Sequence, residues 1–267
     1  MNLKDKYGGL ALVAGASQGL GAAYAEALAV QGFDLILVAR RKDVLEQTCR
    51  EIMVRHSVKV IAVDCDLSDP KAAETIRDAV GPLNVNFLVY NAALPYIGPY
   101  LHLPVEEHTR MAFANMITPM TMVHHFGDQM IREGKGAIVL MTSLAGFQGS
   151  GFIATYAATK AFNLVLAEGL WYEWKNKGVD IIGCCAGATA TPNYINSKPG
   201  SIGIIKPQVQ APEAVVNECL NKIGKTPSFV SGMGNRWASF FMRRFISRKE
   251  AVKIMGDATR KMYRIDY

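Results

Sequence analysis

Tyr156 and Lys160 stand four residues apart in the stretch Ser143-Leu-Ala-Gly-Phe-Gln-Gly-Ser-Gly-Phe-Ile-Ala-Thr-Tyr156-Ala-Ala-Thr-Lys160. On a helix that spacing puts both side chains on one face. A phenol beside an ammonium ionises more readily, because the nearby positive charge favours the phenolate. The pair is therefore expected to bring an acid with an ordinary pKa of about 10 closer to neutrality, where it can donate or accept a proton. Ser143, thirteen residues upstream, carries a hydroxyl that could hold a carbonyl oxygen for that proton. An ordinary amphipathic helix can also carry Tyr-x-x-x-Lys, so the pair gains its meaning from the rest of the chain.

The second chemically suggestive segment is Leu10-Ala-Leu-Val-Ala-Gly15-Ala-Ser17-Gln18-Gly19-Leu20-Gly21, followed by an alanine-rich run. The apolar stretch Leu10 to Ala14 suits a buried parallel strand, and the alanines after Gly21 favour a helix. A glycine-rich turn between strand and helix lets backbone N–H groups of the stretch holding Gly15, Gln18, Gly19, Leu20 and Gly21 approach a pyrophosphate, whose charge the helix N-terminus favours, and Ser17 could add a hydroxyl contact to the cofactor. The spacing is G-x-x-x-G-x-G, and a ligand-free turn of the same composition is the alternative. The strand that follows ends Leu35-Ile-Leu-Val-Ala39-Arg40-Arg41-Lys42. A carboxylate there would hold the ribose 2′-hydroxyl of NAD and repel a 2′-phosphate. Two arginines instead suit a phosphate by charge and by bidentate geometry. NADP(H) is the cofactor this implies, with Arg40 and Arg41 on its 2′-phosphate; a solvated basic turn is the plainer reading.

These groups need a frame to position them. Strands are expected at Leu10–Ala14, Phe33–Ala39, Val58–Val63, Phe87–Tyr90, Ala137–Met141, Val179–Cys185 and Ser228–Val230. Helices are expected at Leu20–Gln31, Asp43–Arg55, Lys71–Ala79, Val105–Arg132, Ala154–Lys177 and Pro212–Ile223. Pro119 should kink the fourth of these near Asn115. The alternation predicts an α/β fold, a Rossmann-type doubly wound parallel sheet of about seven strands with helices on both faces. Ligands in such sheets sit at the carboxyl ends of the strands, where Asn91, Ser143 and Gly187 all fall.

Composition narrows the classes. The 267 residues suit one domain, residues 1–267, with a substrate loop at about 188–210 and a helical tail at about 234–267. Net charge is +6, yet there is no long Lys/Arg block, so no nucleic-acid partner is expected. The cysteines, Cys49, Cys65, Cys184, Cys185 and Cys219, are odd in number and lack C-x-x-C spacing. They read as reduced thiols of a cytoplasmic protein. His56, His102, His108, His124 and His125 are scattered, so no metal site is expected. The polar start lacks a signal-peptide core, and no apolar run of about 18 residues suggests a spanning helix.

Taken together, the two segments resemble the short-chain dehydrogenase/reductase family, over most of the chain. Gly15, Gly19 and Gly21 match its cofactor glycines, and Asn115, Ser143, Tyr156 and Lys160 its catalytic tetrad. The resemblance implies that Asp66 and Leu67 meet the adenine, that Asn91 and Ala92 line the cofactor, and that Gly187, Thr189 and Thr191 close on the nicotinamide. It implies hydride exchange between the nicotinamide and a ketone or alcohol carbon. Tyr156 would protonate the alkoxide, Ser143 hold the oxygen, Lys160 lower the phenol pKa and hold the ribose, and Asn115 steady a relay water. A homodimer or homotetramer, paired through the helices of Asn115 and Tyr156, is implied too. The chain departs from the pattern at Ala14 for Thr, Tyr90 for Asn, Ala93 for Gly and Ala186 for Pro. These put local geometry in question, and they leave room for a non-catalytic nucleotide-binding sensor or scaffold.

The residues bordering the substrate, Leu94, Pro95, Tyr96, Leu144, Phe147, Tyr194 and Ile195, are mostly apolar, which suits an apolar ketone or alcohol. The N-terminal residues, Arg40-Arg41 and the loop from Thr191-Pro192 to Lys198-Pro199 resemble bacterial hydroxysteroid dehydrogenases, especially the 7β type. In the tail, Trp237, Phe240, Phe241 and Phe245 fall on one helical stripe among arginines. Such a helix could cover the cleft, pack on a partner subunit, or lie on a membrane surface.

Overall fold

In the computed structural model, which describes residues 2–200 and 209–266, the strands form one sheet of seven, all parallel, in the order β3-β2-β1-β4-β5-β6-β7. They are β1 (Leu10–Ala14), β2 (Asp34–Ala39), β3 (Val60–Asp64), β4 (Phe87–Tyr90), β5 (Gly136–Ser143), β6 (Val179–Ala186) and β7 (Ser228–Val230). Their apolar runs are buried on both faces, as parallel strands between helical layers must be. The order reverses between β1 and β4, where Ala14 pairs with Val38 on one side and Tyr90 on the other. That switch opens a crevice at the strands' carboxyl ends.

One face carries α2 (Gly19–Val30), α3 (Lys42–His56) and α9 (Pro212–Lys222), packed through Tyr24, Leu28, Leu45 and Val216. The other carries α4 (Ala72–Val80), α6 (Thr118–Glu133) and α7 (Ala154–Trp174), packed through Ile76, Met122, Phe126 and Ala167. Each of the fully buried Leu, Ile, Val, Met and Phe side chains among these contributes about 1.5–3 kcal/mol relative to exposure. A short α1 (Leu3–Tyr7), not foreseen, is capped by Asn2, whose side chain accepts from Lys4 N, and drives Tyr7 edge-on against Phe87.

The single helix expected over Val105–Arg132 is instead α5 (Val105–Ala112), a π-helical turn (Phe113–Ile117) and α6. Thr118 N–H donates to Phe113 O, and Pro119 has no N–H to donate. The carbonyls of Ala114 and Asn115 therefore lose their backbone donors. Tyr90 Oη donates to Ala114 O at 2.5 Å, and Asn163 Nδ2 donates to Asn115 O at 2.9 Å. Tyr90, a departure from the family pattern, thus closes the defect that Pro119 opens.

Helix α7 ends at Trp174, three residues short of the expected Lys177. The expected substrate loop at 188–210 contains α8 (Pro192–Asn196), and residues 201–208 lie outside the described ones. The tail is two helices, α10 (Met233–Phe245) and α11 (Arg248–Met262), the second started by a capping box of Ser247 and Glu250.

Candidate active site

The turn after β1 is shaped by contacts that exclude a side chain. A Cβ on Gly21 would lie 1.9 Å from Gly15 O, one on Gly15 would lie 2.8 Å from Ala92 N, and one on Gly19 would lie 2.9 Å from Thr191 Cγ2. Gly15 and Gly19 also sit at φ +83° and +58°, the left-handed region. Asn91 Nδ2 donates to Gly15 O at 3.0 Å, and Gly15 N and Ala16 N both donate to Val38 O. These bonds hold the turn where the family has a threonine and this chain has the buried Ala14. The first N–H groups of α2 have no side-chain cap, so they remain free to meet an anion.

At the end of β2, Arg40 and Arg41 are exposed. Arg41 Nη2 donates to Gln18 Oε1 at 2.5 Å, and Gln18 Nε2 donates on to Asn193 Oδ1 at 3.2 Å, linking the arginine turn, the glycine turn and α8. Arg40 approaches Asp66 at 3.7 Å. Asp66 is also met by Arg110 from α5 at 3.4 Å and accepts from Ser68 N at 3.0 Å and Ser68 Oγ at 2.8 Å. Partial burial pushes its carboxyl up, but the Ser68 bonds and the two guanidiniums outweigh that and hold it below its usual range. Leu67 is buried behind it, and its carbonyl accepts from Thr118 Oγ1. Arg110 has no strand-end or motif signal in the sequence; only packing of α5 brings it here.

The catalytic candidates gather at the end of β5 and the start of α7. Ser143 ends β5 and its Oγ accepts from Ala145 N at 3.2 Å, opening a 3-10 turn over Leu144–Phe147. Lys160 is buried, its Nζ donating to Met141 O at 2.9 Å and lying 5.7 Å from the Tyr156 ring centroid. Burial drives the lysine down to about 8. The Tyr156 phenol moves in the opposite direction from that expected: desolvation raises it, a hydrogen bond with Ser143 pulls back less, and the Tyr263 hydroxyl adds to the rise. The correction has a simple cause, since a charge inside a poorly solvated site is expensive for both groups. Tyr156 and Lys160 do share one helix face, as their spacing requires.

Asn115 is fully buried. Its Oδ1 accepts from Leu94 N at 2.8 Å, and its Nδ2 donates to Leu94 O at 3.0 Å and Thr159 Oγ1 at 3.1 Å. Both amide hydrogens are thus committed to protein, and the side chain clamps the loop after β4 to α7.

The segment after β6 lies over the same crevice. Thr189 Oγ1 donates to Gly187 O at 3.1 Å, Thr191 caps α8, and a Cβ on Gly187 would lie 2.5 Å from Asn235 Nδ2 of α10. Gln210 and Ala188–Ala190 exchange backbone bonds, which tie down a loop that lacks the family's proline. Arg243 stacks 4.7 Å from the Phe147 ring, and Arg248 Nη1 donates to Phe147 O. Helix α11 packs Gly256 against Gly151, and Tyr263 at its end reaches the field of both Tyr156 and Tyr194. Sequence reasoning missed Tyr263 and Asn235, since nothing local marks a tail residue as a cleft residue. It also missed His108, which stands in the cleft wall with Tyr96, Tyr100 and Thr155. Among the described residues no cluster of three His, Cys, Asp or Glu side chains is placed to hold a metal, and no helix is long and apolar enough to cross a membrane.

Residues 9–200 match the model of the short chain dehydrogenase family. The 7beta-hydroxysteroid dehydrogenase of Collinsella aerofaciens is 32% identical over 263 residues, spanning 96% of this chain and 98% of that protein. A solved structure from work on 7beta-hydroxysteroid dehydrogenase stereoselectivity superposes with a TM-score of 0.89 at 31% identity, covering 96% of this chain and 99% of its own. A short-chain dehydrogenase from Sphingobium yanoikuyae in complex with NADPH superposes with a TM-score of 0.76 at 27% identity, over 88% of this chain and 93% of that one.

Proposed function

The chain belongs to the short-chain dehydrogenase family, and from that premise we propose that it is an NADP(H)-dependent oxidoreductase interconverting an apolar, steroid-like ketone and its secondary alcohol. The observation that carries this reading is the placing of a buried Lys160, bonded to Met141 O, 5.7 Å from the Tyr156 ring on the helix that follows Ser143, at the strand ends beside the glycine turn. A nucleotide-binding scaffold would need the glycine turn; it would have no use for a lysine held in its core at the cost of desolvation.

The residues present fit the cofactor. The turn at Gly15, Gly19 and Gly21 leaves no room for side chains, the first N–H groups of α2 are free for a pyrophosphate, and Arg40 and Arg41 offer their guanidiniums to a 2′-phosphate. By the family resemblance, Asp66 and Leu67 would border the adenine, Asn91 and Ala92 the middle of the cofactor, and Gly187, Thr189 and Thr191 its nicotinamide end. When bound, NADPH supplies a hydride to the carbonyl carbon. Ser143 holds the carbonyl oxygen, and Tyr156 gives that oxygen its phenolic proton as the alkoxide develops. A raised phenol pKa keeps the proton in place at neutral pH, which is the form reduction requires. Lys160 spends one N–H on Met141 O and has two left for the cofactor ribose and the phenolate that forms. Asn115 acts by holding the Leu94 loop and α7 in register.

The steroid-like substrate is supported by the apolar cleft and by the activity named for the Collinsella aerofaciens relative. We read residues 1–267 as one domain, since all seven strands share a sheet. A homodimer or homotetramer would bury the exposed Met120 of α6 and Val165 and Tyr172 of α7. Five free cysteines, all buried, suit a reducing cytoplasm. The deciding experiment is steroid-ketone reduction with NADPH by wild type and Tyr156→Phe. The variant should bind NADPH and lose turnover; wild-type turnover in it would overturn the mechanism.

A further inference from the structure

His108 uses both ring nitrogens between the two walls of the cleft. It lies on the buried side of α5, and its Nε2 is 3.0 Å from Tyr100 O, while its Nδ1 is 2.8 Å from Thr155 Oγ1. A carbonyl can only accept, so Nε2 carries the hydrogen, and in the neutral ring Nδ1 then accepts from the Thr155 hydroxyl. Thr155 is in the first turn of α7, immediately before Tyr156. Tyr100 belongs to the loop after β4, its ring stacked on the imidazole at 4.3 Å, while Tyr96 meets the same ring edge-on at 6.3 Å.

That loop is pinned at three places. Asn115 holds Leu94, Gly98 N donates to Phe152 O at 2.8 Å, and His108 holds Tyr100. The first two bonds fix its beginning and middle. Among the described residues the imidazole bonds its far end to the turn that carries Tyr156, and a small cavity between them has Tyr96, Tyr100, His108, Thr155 and Tyr156 in its walls.

Resting on the function proposed above, we propose that His108 is a positioning residue: through Tyr100 and Thr155 it sets the distance between the Tyr96–Leu103 wall and the Tyr156 hydroxyl, and so selects for bulky ketones. A large substrate touches that wall while its carbonyl meets Tyr156, whereas a small ketone reaches Tyr156 without touching it. Loosening the clamp therefore weakens the bulky substrate alone.

The test is the ratio of kcat/KM for a steroid ketone to that for a small cyclic ketone, with NADPH, in His108→Leu, Thr155→Val and Thr155→Ser. The ratio does not depend on how much of the protein is active, so lost folding alone leaves it unmoved. It should fall about tenfold or more in His108→Leu and Thr155→Val and return to within about twofold of wild type in Thr155→Ser, which restores the hydroxyl. If His108→Leu does not fold, Thr155→Val against Thr155→Ser decides. An unchanged ratio in folded Thr155→Val overturns the clamp. A wild type that binds NADPH and reduces neither ketone would instead overturn the proposed function.

Discussion

The two ends of the crevice work by opposite physics. At the proposed nucleotide end the charged groups lie within reach of water: Arg40 and Arg110 flank Asp66, while Arg41 is bonded to Gln18. At the proposed catalytic end the groups are withdrawn, with Lys160 buried and bonded to Met141 and the Tyr156 hydroxyl desolvated. Exposed charge recognises a polyanion at little cost in stability and is screened by salt. Buried ionisable groups are costly, and in return their proton affinities are set by the protein. Affinity and turnover should therefore respond to different perturbations.

The largest separation is expected from Tyr156→Phe. Loss of a general acid should lower kcat by about 10²- to 10⁴-fold, while NADPH affinity, measured by fluorescence or calorimetry, stays within about twofold. Arg40→Ala and Arg41→Ala should do the reverse. A charge-assisted hydrogen bond is worth about 1.5–3 kcal/mol, so each should weaken NADPH by about 10- to 100-fold, with kcat at saturating cofactor unmoved and the preference over NADH eroded. A fall in saturated kcat in either arginine variant would collapse the distinction between the two ends.

Acidity sharpens the comparison further. Burial depresses Lys160 from 10.5 to about 8, so its ammonium is lost as pH rises through about 8, and reduction at saturating NADPH should decline above that point. The sign for stability follows from the same shift. The cost of burying the charge is full below about pH 8 and fades between about 8 and 10.5. Lys160→Met should therefore compare more favourably with wild type in thermal melts at pH 7 than at pH 10; the opposite order would mean that the lysine is not desolvated. The smallest expected effect is that of salt. Raising it from about 0.05 to 0.5 M should weaken NADPH binding several-fold, because the screening length falls from about 14 to about 4 Å, and leave saturated kcat alone.

Much of this molecule is legible in the chain because its signals are local. The runs Leu10–Ala14, Phe87–Tyr90 and Ser228–Val230 are strands over the residues expected, since short apolar segments between glycines and turns leave few other options. The glycine turn is equally explicit: a carbonyl 1.9 Å from where a Cβ would stand allows one residue type. The break at Phe113–Ile117 was half visible in Pro119. A proline announces missing backbone bonds, yet it does not say that Tyr90 and Asn163 will supply replacements from other elements. In the tail the stripe of Trp237, Phe240, Phe241 and Phe245 is real, but it faces solvent, while Asn235 and Arg236 turn inward to Gly187 and Glu218. Periodicity finds a stripe and cannot say which way it points.

By itself the sequence determined the alternation of strands and helices, the turn that admits only glycine, and which hydroxyl, phenol and amine would be available for chemistry, because each depends on residues a few positions apart. Tertiary structure alone decided that burial raises Tyr156 and lowers Lys160, that the Asn115 amide is spent on Leu94 and Thr159, and that His108, Arg110 and Tyr263 reach the crevice. Those outcomes depend on how much water is excluded around each group and on partners dozens of residues away, and neither is fixed until the sheet and its helices have packed.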